Sequence, residues 1–329
     1  MRVRRAVRTL ILAAIPMLCA CSSSSGASSD GAPPSGDARA SRDGGAASDR
    51  GASPDAAATT FRVAGVQYAD GDFSKVPGCG DDLCGLTHFV KDAAKKGARL
   101  VVTPEYAIDQ KTSEPAPAKG DALTTDARFT DGSILRTLGK LADELNVTLV
   151  FNLITQEGSG GAAKLHNTQV AVGPDGKVLA RHYKFHLFGG EGKQLAPGTH
   201  VTENYFDTPV GKAGLLICAD IQCSVNGVGP DCAADEMKLL QEFVAQKPAL
   251  ALFSAYWTVG PANAGSSIWW PLNVQKNFAT QTKMFVVAAN TTKAPGAGGG
   301  IFDPEGATLA SSELNTPAVV LADLPLPKK

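Results

Sequence analysis

Apolar and polar residues follow one another along most of the chain in a pattern that predicts a succession of strands and helices. Runs of β-branched or alternating apolar residues predict strands, and apolar residues recurring every three to four positions predict amphipathic helices. The predicted strands cover residues 61–68, 99–108, 147–155, 210–220, 248–257 and 284–292. The predicted helices cover residues 85–98, 132–146, 236–246 and 273–283. Strands alternating with helices indicate an α/β layered fold.

Two further segments predict β-hairpins. In residues 166–184, two alternating runs are joined by Pro174-Asp175-Gly176, a typical turn sequence, and residues 298–312 predict a second turn and hairpin. Because hairpins pair strands in antiparallel fashion, we expect mixed sheets rather than a simple doubly wound parallel sheet.

The first 20 residues predict an export signal. Four arginines in the first eight residues precede an apolar run at 9–18 that is too short for a stable membrane span. The run ends in Leu18-Cys19-Ala20-Cys21, which resembles a bacterial lipobox. We therefore expect cleavage before Cys21 and a lipid on that residue, which would anchor an exported protein to a membrane. The alternative is an ordinary signal peptide with incidental cysteines.

Residues 21–59 are dominated by Ser, Gly, Ala, Asp and Pro and predict a flexible tether, because such a segment cannot bury enough apolar surface to offset its ordering entropy. Residues 60–329 are long enough for one large domain, or two small ones, with a substantial core, and because they contain no second linker we expect one domain. The formal net charge is −1, and no basic block follows the signal, so no binding of nucleic acid is expected. The sequence leaves the oligomeric state open, a homo-oligomer included.

Five cysteines remain beyond the signal and the lipid-bearing position. Cys79 and Cys84 bracket one loop, and Cys223 and Cys232 bracket another. Because export leads to an oxidising compartment, we expect disulfides Cys79–Cys84 and Cys223–Cys232, which leave Cys218 as a free thiol. Zinc is the competing explanation, but the spacings do not match the usual ligand pairs and no nearby His completes a set. We expect no metal and no cofactor.

Three predicted strands end in a polar residue: Glu105, Lys184 and Cys218. Taken singly, each has an ordinary structural explanation, and Asp220 can be explained as a residue that shapes the turn after Cys218. Functional groups in open α/β sheets gather at the carboxyl ends of strands, however. We therefore expect the three side chains on one rim of the sheet.

The surroundings of these residues resemble the nitrilase (carbon–nitrogen hydrolase) superfamily. The matching stretches are TPEYA around Glu105, HYKFHLFGGE around Lys184 and GLLICAD around Cys218. HYKFHLFGGE and the cysteine-rich run after Cys218 are most similar to the biotinidase/vanin branch. The resemblance implies a four-layer α-β-β-α sandwich with mixed sheets and a Glu-Lys-Cys catalytic triad.

The chemistry of these residue types fits the implied roles. Cys218 would attack as a thiolate, with its pKa lowered by the neighbouring ammonium, while Glu105 would act as general base and then general acid. Lys184 and the backbone N–H of Ala219 would stabilise the oxyanion. Glu191 matches the second glutamate of the family and would position Lys184 or the substrate.

Further residues are candidates for the pocket. Tyr106, Trp257 and Asn290 lie at strand ends, although packing explains them equally well. His186 suggests an alternative Cys218–His186 catalytic dyad, but in that arrangement Glu105 and Lys184 would have no catalytic role. Trp269 and Trp270 fit either a substrate lid or the core.

The predicted function is an exported, lipid-anchored amidohydrolase that cleaves small-molecule linear amides through a cysteine acyl-enzyme. The branch resemblance suggests biotin amides or pantetheine as substrates. The alternatives are nitrile hydrolysis, N-acyl transfer by the same thioester, and a catalytically inactive binding lipoprotein.

Overall fold

The structure is a computed structural model that describes residues 59–108, 113–224, 234–257, 270–293, 298–312 and 316–328. The predicted export signal and all but the last residue of the predicted tether lie outside the described residues. So do Trp269, the side chain of Trp270, and the predicted disulfide between Cys223 and Cys232.

The described residues form two mixed sheets and four α-helices. The strands are β1 (Thr60–Gln67), β2 (Leu100–Val102), β3 (Glu114–Pro115), β4 (Thr148–Glu157), β5 (Lys164–Val172), β6 (Val178–Tyr183), β7 (Tyr205–Thr208), β8 (Gly211–Ile217), β9 (Leu250–Ser254), β10 (Phe285–Ala289), β11 (Gly300–Phe302), β12 (Thr308–Ser311) and β13 (Ala318–Pro325). The helices are α1 (Asp82–Lys95), α2 (Ile134–Leu145), α3 (Ala234–Ala245) and α4 (Trp270–Thr282).

The first sheet has the order β13-β1-β2-β4-β5-β6, with β3 paired to β4, and the second has the order β12-β11-β10-β9-β8-β7. Strands β1, β2 and β4 are parallel, as are β8, β9 and β10. Strands β5 and β6 form the predicted antiparallel hairpin, and β11 with β12 forms the second. The expectation of mixed sheets is therefore confirmed.

Successive side chains along the inner strands point alternately into two apolar layers. On β9, Leu250 and Leu252 belong to the core between the sheets, whereas Ala251 and Phe253 belong to the core beneath α3 and α4. A third core joins the outer face of the first sheet to α1 and α2. Strands buried on both faces read as nearly continuous apolar runs, and that is the pattern seen in the sequence. The result is the expected four-layer α-β-β-α sandwich.

Gly65 on β1 allows the two sheets to approach closely. A Cβ atom at this position would lie 2.7 Å from the backbone carbonyl oxygen of Ala288 on β10, in the opposite sheet. No side chain fits at that distance without moving a strand, so glycine is required by the contact between sheets.

The observed strands at the rim are shorter than predicted, and this shapes the site. The predicted strand 99–108 ends at Val102, because Pro104 lacks the N–H needed to continue the ladder. The predicted strand 210–220 ends at Ile217, and a 3₁₀ helix begins at Cys218. Strands β3, β7 and β13 were not predicted; β3 and β7 are too short to show a clear period.

The predicted disulfide between Cys79 and Cys84 is present, with Cα atoms 5.4 Å apart, and it closes the turn into α1. Cys218 is a free, buried thiol. Within the described residues, no helix is both long and apolar enough to cross a membrane.

Candidate active site

The topology brings three strand ends to one edge of the sandwich. Strand β6 runs parallel to β2, because both β4–β5 and β5–β6 are antiparallel pairs. Glu105, which follows β2, and Lys184, which follows β6, therefore lie at the same edge of the first sheet. Cys218 follows β8 in the second sheet, and the interactions of its side chain bring it to the same place.

Glu105, Lys184 and Cys218 are in direct contact. Lys184 Nζ lies 2.8 Å from Glu105 Oε1, and the Cys218 thiol donates a hydrogen bond to the Glu105 carboxylate. The backbone N–H of Tyr256, which lies after β9, donates a hydrogen bond to the Cys218 sulfur. Glu105 thus lies between the ammonium and the thiol, where it can take a proton from sulfur.

Two residues of the site hold left-handed backbone conformations that are costly for side chains other than glycine. Tyr106, directly after Glu105, has φ +51°, and Cys218 has φ +43°. Such strain persists where surrounding contacts impose it, and it is typical of functional sites. Here it turns the chain sharply at the end of each strand and directs the Cys218 side chain toward Glu105.

Burial and charge together determine how the site is protonated. Glu105, Lys184 and Cys218 are exposed by only 1%, 2% and 6%. Burial, followed by the Glu105 charge, raises the pKa of the Cys218 thiol well above its ordinary value. The expected lowering by Lys184 is present but is outweighed, so the prediction of a lowered pKa for the thiol is wrong.

The carboxylates of Glu105 and Glu191 differ in the direction of their pKa shifts. Burial and the nearby charge of Glu191 raise the pKa of Glu105, against the opposing effect of Lys184. Burial also acts to raise the pKa of Glu191, but Lys184, Tyr106 and a backbone N–H outweigh it and lower that pKa. Burial alone would lower the pKa of Lys184, yet the negative charges of Glu105 and Glu191 raise it. The site therefore combines an ammonium with two carboxylates, one with a lowered pKa, Glu191, and one with a raised pKa, Glu105.

Glu191 lies where the sequence analysis expected a positioning residue. Its carboxylate oxygens lie 3.1 and 2.9 Å from Lys184 Nζ, and it accepts hydrogen bonds from the Tyr106 hydroxyl and the backbone N–H of Phe188. Tyr106, which directly follows Glu105 in the chain, therefore also contacts the site through its hydroxyl group.

Two buried amides of the site were missed by the sequence analysis. Asn167 on β5 places Nδ2 2.7 Å from Glu105 Oε1 and 2.9 Å from Glu191 Oε1. Asn152 on β4 donates to Asn167 Oδ1 at 2.7 Å. The available signal was a polar residue in each of two strands that are otherwise buried, since a buried amide needs a partner.

Asp220 does more than shape the turn after Cys218. One carboxylate oxygen accepts from the backbone N–H groups of Phe185 and His186, at 2.8 and 3.1 Å. The other accepts from the N–H of Ile217 at 2.8 Å and from His182 Nε2 at 2.6 Å. Asp220 thus ties the residues just after Lys184 to the residue just before Cys218.

The remaining predicted residues are placed as follows. Ala219 follows Cys218 at the start of the 3₁₀ helix and is buried. Trp257 packs against Phe253, and the Asn290 amide binds the backbone of Trp257, Thr291 and Gly298. These contacts favour packing for both. His186 is half-buried, and because the thiol binds Glu105, the geometry favours the Glu-Lys-Cys arrangement over a Cys218–His186 dyad.

A polar cluster not foreseen from the sequence lies beside the triad. The Tyr256 ring meets the Tyr106 ring edge-on, with centroids 6.1 Å apart, and its hydroxyl accepts a hydrogen bond from Lys293. Lys293 also forms an ion pair with Asp70. Among the described residues, no cluster of His, Cys, Asp and Glu side chains is suited to holding a metal ion.

Comparison with known proteins places this geometry in a family. Residues 82–328 match the carbon-nitrogen hydrolase family. Omega-amidase NIT2 of Homo sapiens is 26% identical over 287 residues, which represent 82% of this chain and 90% of that protein. The expected branch similarity to biotinidase and vanin is not supported by this relative.

Two solved structures share the fold. A variant of the amidase from Nesterenkonia sp. AN1, with the acetamide moiety of fluoroacetamide added covalently at its active-site cysteine, has a TM-score of 0.57 and 18% identity, covering 80% of this chain and 90% of that one. A branch 10 member of the nitrilase superfamily from Saccharomyces cerevisiae has a TM-score of 0.59 and 20% identity, covering 81% and 90%. The expected nitrilase-like fold is confirmed, and this chain belongs to the carbon-nitrogen hydrolase family.

Proposed function

We propose that the protein hydrolyses small linear amides through a thioester on Cys218. The observation that carries the proposal is the buried contact of the Cys218 thiol with Glu105, whose carboxylate also binds Lys184 Nζ at 2.8 Å. A nucleophile, a base and a fixed positive charge therefore meet at one point from which most water is excluded.

Acylation begins when the sulfur attacks the amide carbonyl carbon and its proton moves to the Glu105 carboxylate. Lys184 and the backbone N–H of Ala219 stabilise the negative charge that develops on the carbonyl oxygen. Glu105 then gives its proton to the nitrogen, the C–N bond breaks, and ammonia or an amine leaves. The raised pKa of Glu105 suits both steps, because the group must take and return a proton near neutral pH.

Deacylation repeats these steps with water. Glu105 takes a proton from a water molecule as its oxygen attacks the thioester carbonyl, and the C–S bond breaks as the acid leaves. The proton returns from Glu105 to the sulfur, which restores the resting thiol. Glu191 holds Lys184 in place throughout, and Asn167 holds Glu105.

For the substrate, similarity to an ω-amidase favours a short amide at the end of an acid chain over biotin amides or pantetheine. The test is a panel containing the monoamide of glutaric acid, propionamide, biocytin, pantetheine and simple nitriles, with the Cys218→Ala protein as the blank. We expect release of ammonia from the short amides and none in the blank. Added hydroxylamine should capture the thioester as a hydroxamate.

Each of the other outcomes would support a different function for the protein. Turnover that survives in Cys218→Ala would contradict the mechanism. Turnover of nitriles alone would make the protein a nitrilase, and acyl transfer to amines without hydrolysis would make it an N-acyltransferase. Binding without turnover of any compound would identify an inactive binding protein.

We also propose that the protein is exported and carries a lipid on Cys21. The support is the arrangement of arginines, apolar run and lipobox-like cysteine at the N-terminus, followed by a polar segment. The disulfide between Cys79 and Cys84 is consistent with an oxidising compartment.

A further inference from the structure

Asn152 and Asn167 form a short chain of hydrogen bonds with a defined direction. Asn152 Oδ1 accepts from the backbone N–H of Tyr106 at 3.1 Å, so its Nδ2 must point the other way. That Nδ2 donates to Asn167 Oδ1 at 2.7 Å and to the carbonyl oxygen of Thr168 at 3.2 Å. Asn167 must therefore direct its own Nδ2, rather than its oxygen, toward Glu105 and Glu191.

The direction matters because Glu105 and Glu191 are two buried carboxylates that contact the same Asn167 Nδ2. An N–H donor between them stabilises both ionised groups, whereas an amide oxygen in the same place would repel both. Asn152 and Asn167 are fully buried, so water does not replace a lost hydrogen bond there. The N–H of Tyr106 that starts the chain also belongs to the left-handed turn that positions Glu105.

We propose that Asn152 and Asn167 act as an amide relay, in which Asn152 keeps Asn167 oriented so that its N–H groups hold Glu105 as a carboxylate able to accept the thiol proton. Both are positioning residues, and the inference rests on the proposed function of Glu105 as the base. The relay predicts that a change at Asn152, which acts on Glu105 through Asn167, alters the proton affinity of Glu105.

Other charged and titratable groups also face Glu105. They are Lys184 after β6, Glu191 in the following loop, Cys218 after β8, Tyr106 in the adjoining turn and Tyr256 after β9. None of these side chains is replaced by a substitution at Asn152. Asn152→Asp adds a negative charge of its own, which also raises the pKa of Glu105, so the shift in the uncharged Asn152→Ala variant is the one that reports on the relay.

The experiment compares Asn152→Asp and Asn152→Ala with the wild type. An aspartate keeps the acceptor for Tyr106 but presents a second oxygen to Asn167, which must then rotate and turn its own oxygen toward Glu105 and Glu191. We expect the acid limb of kcat/KM to move to higher pH by about one unit or more. Alanine removes the orienting group without adding charge, and should move the limb in the same direction by less.

Gln275→Glu is the matched control, because it also changes a fully buried amide to an acid but lies outside the site, bound to the carbonyl oxygen of Gly298. Its acid limb should not move, whatever the effect on thermal stability. If Asn152→Asp does not fold, Asn152→Ala decides the matter.

The same pH profile is measured for alkylation of Cys218 by iodoacetamide, which needs no turnover. If no amide is hydrolysed but the alkylation limb shifts in the Asn152 variants, the relay stands and the proposed hydrolysis fails. If amides are hydrolysed and neither limb shifts, or if rates fall uniformly at every pH, the relay is wrong while the hydrolase remains.

Discussion

At the scale of single residues, the chemistry depends on an imbalance between two carboxylates and one ammonium. Lys184 forms ion pairs with both Glu105 and Glu191. The buried cluster of one ammonium and two acids would therefore carry a net negative charge if both acids were ionised. Like charges that cannot both be well compensated separate their proton affinities. Glu191, with more hydrogen-bond donors, has the lower pKa, and Glu105 would be the group that exchanges protons in the proposed mechanism.

The substitution Glu191→Gln tests this imbalance. Removing the negative charge of Glu191 should lower the pKa of Glu105, because that charge is one cause of its elevation. Since the base must be ionised in the free enzyme, the acid limb of kcat/KM should move to lower pH by about one unit, opposite to the Asn152 variants. Glu144→Gln, at an exposed position on α2, should leave the profile unchanged. An unmoved limb in Glu191→Gln would contradict the assignment.

At the scale of elements, the site depends on how strand ends from different sheets are fixed to one another. The first sheet contributes Glu105 and Lys184, and the second contributes Cys218. Asp220 joins the ends of β6 and β8 through four hydrogen bonds to a buried carboxylate. Asn204 Nδ2 donates to His182 Nδ1, which leaves His182 Nε2 as the donor to Asp220.

The substitution Asp220→Asn should weaken the connection that Asp220 makes between the ends of β6 and β8. An amide offers one accepting oxygen, and its NH₂ group would face two N–H donors. We expect a loss of about 1–3 kcal/mol in the free energy of unfolding, measured in urea, for each donor left unpaired. We also expect kcat/KM to fall by roughly 100-fold, because displacement of catalytic groups by about 1 Å is costly.

The matched control for Asp220→Asn is Asp207→Asn, at an exposed position on β7, which should change neither quantity appreciably. Wild-type stability and activity in Asp220→Asn would show that the connection between β6 and β8 through Asp220 contributes to neither the free energy of unfolding nor kcat/KM. A stable protein with reduced kcat/KM would show that its effect is confined to the site.

At the scale of the whole molecule, the sandwich encloses its reactive groups at one edge while the predicted N-terminal tether would leave that domain free to move near a membrane. Lipid attachment needs only the N-terminal segment, and it is independent of how the domain folds.

The lipid proposal predicts that the wild-type protein, expressed in a bacterium, incorporates radiolabelled palmitate and sediments with membranes. Cys21→Ser should lose the label and leave the membrane fraction, because no modified cysteine remains at the cleavage site. Cys19→Ser is the control and should keep both properties. Equal labelling of the wild type and Cys21→Ser would contradict lipid attachment at Cys21.

Much of the architecture could be predicted because it depends on local patterns. The periods of apolar residues predicted the four helices, the main buried strands and both hairpins, and Pro174-Asp175-Gly176 predicted the turn that closes the β5–β6 hairpin. Short motifs around Glu105, Lys184 and Cys218 identified the residues that now meet. Each of these features depends on neighbours along the chain, so the sequence contains the information directly.

Only the tertiary structure decided which groups of the candidate site are brought into contact. Whether Lys184 lowers the pKa of the thiol depends on burial and on the distance to Glu105, and neither is encoded within a motif. The roles of Asn152, Asn167 and Asp220 arise from contacts between strands that are remote in sequence, and buried polar residues acquire a role only when their partners are known. The sequence determined which groups are present, whereas packing of the two sheets determined which of them contact one another, because electrostatic and hydrogen-bond energies depend on distance and solvent exclusion.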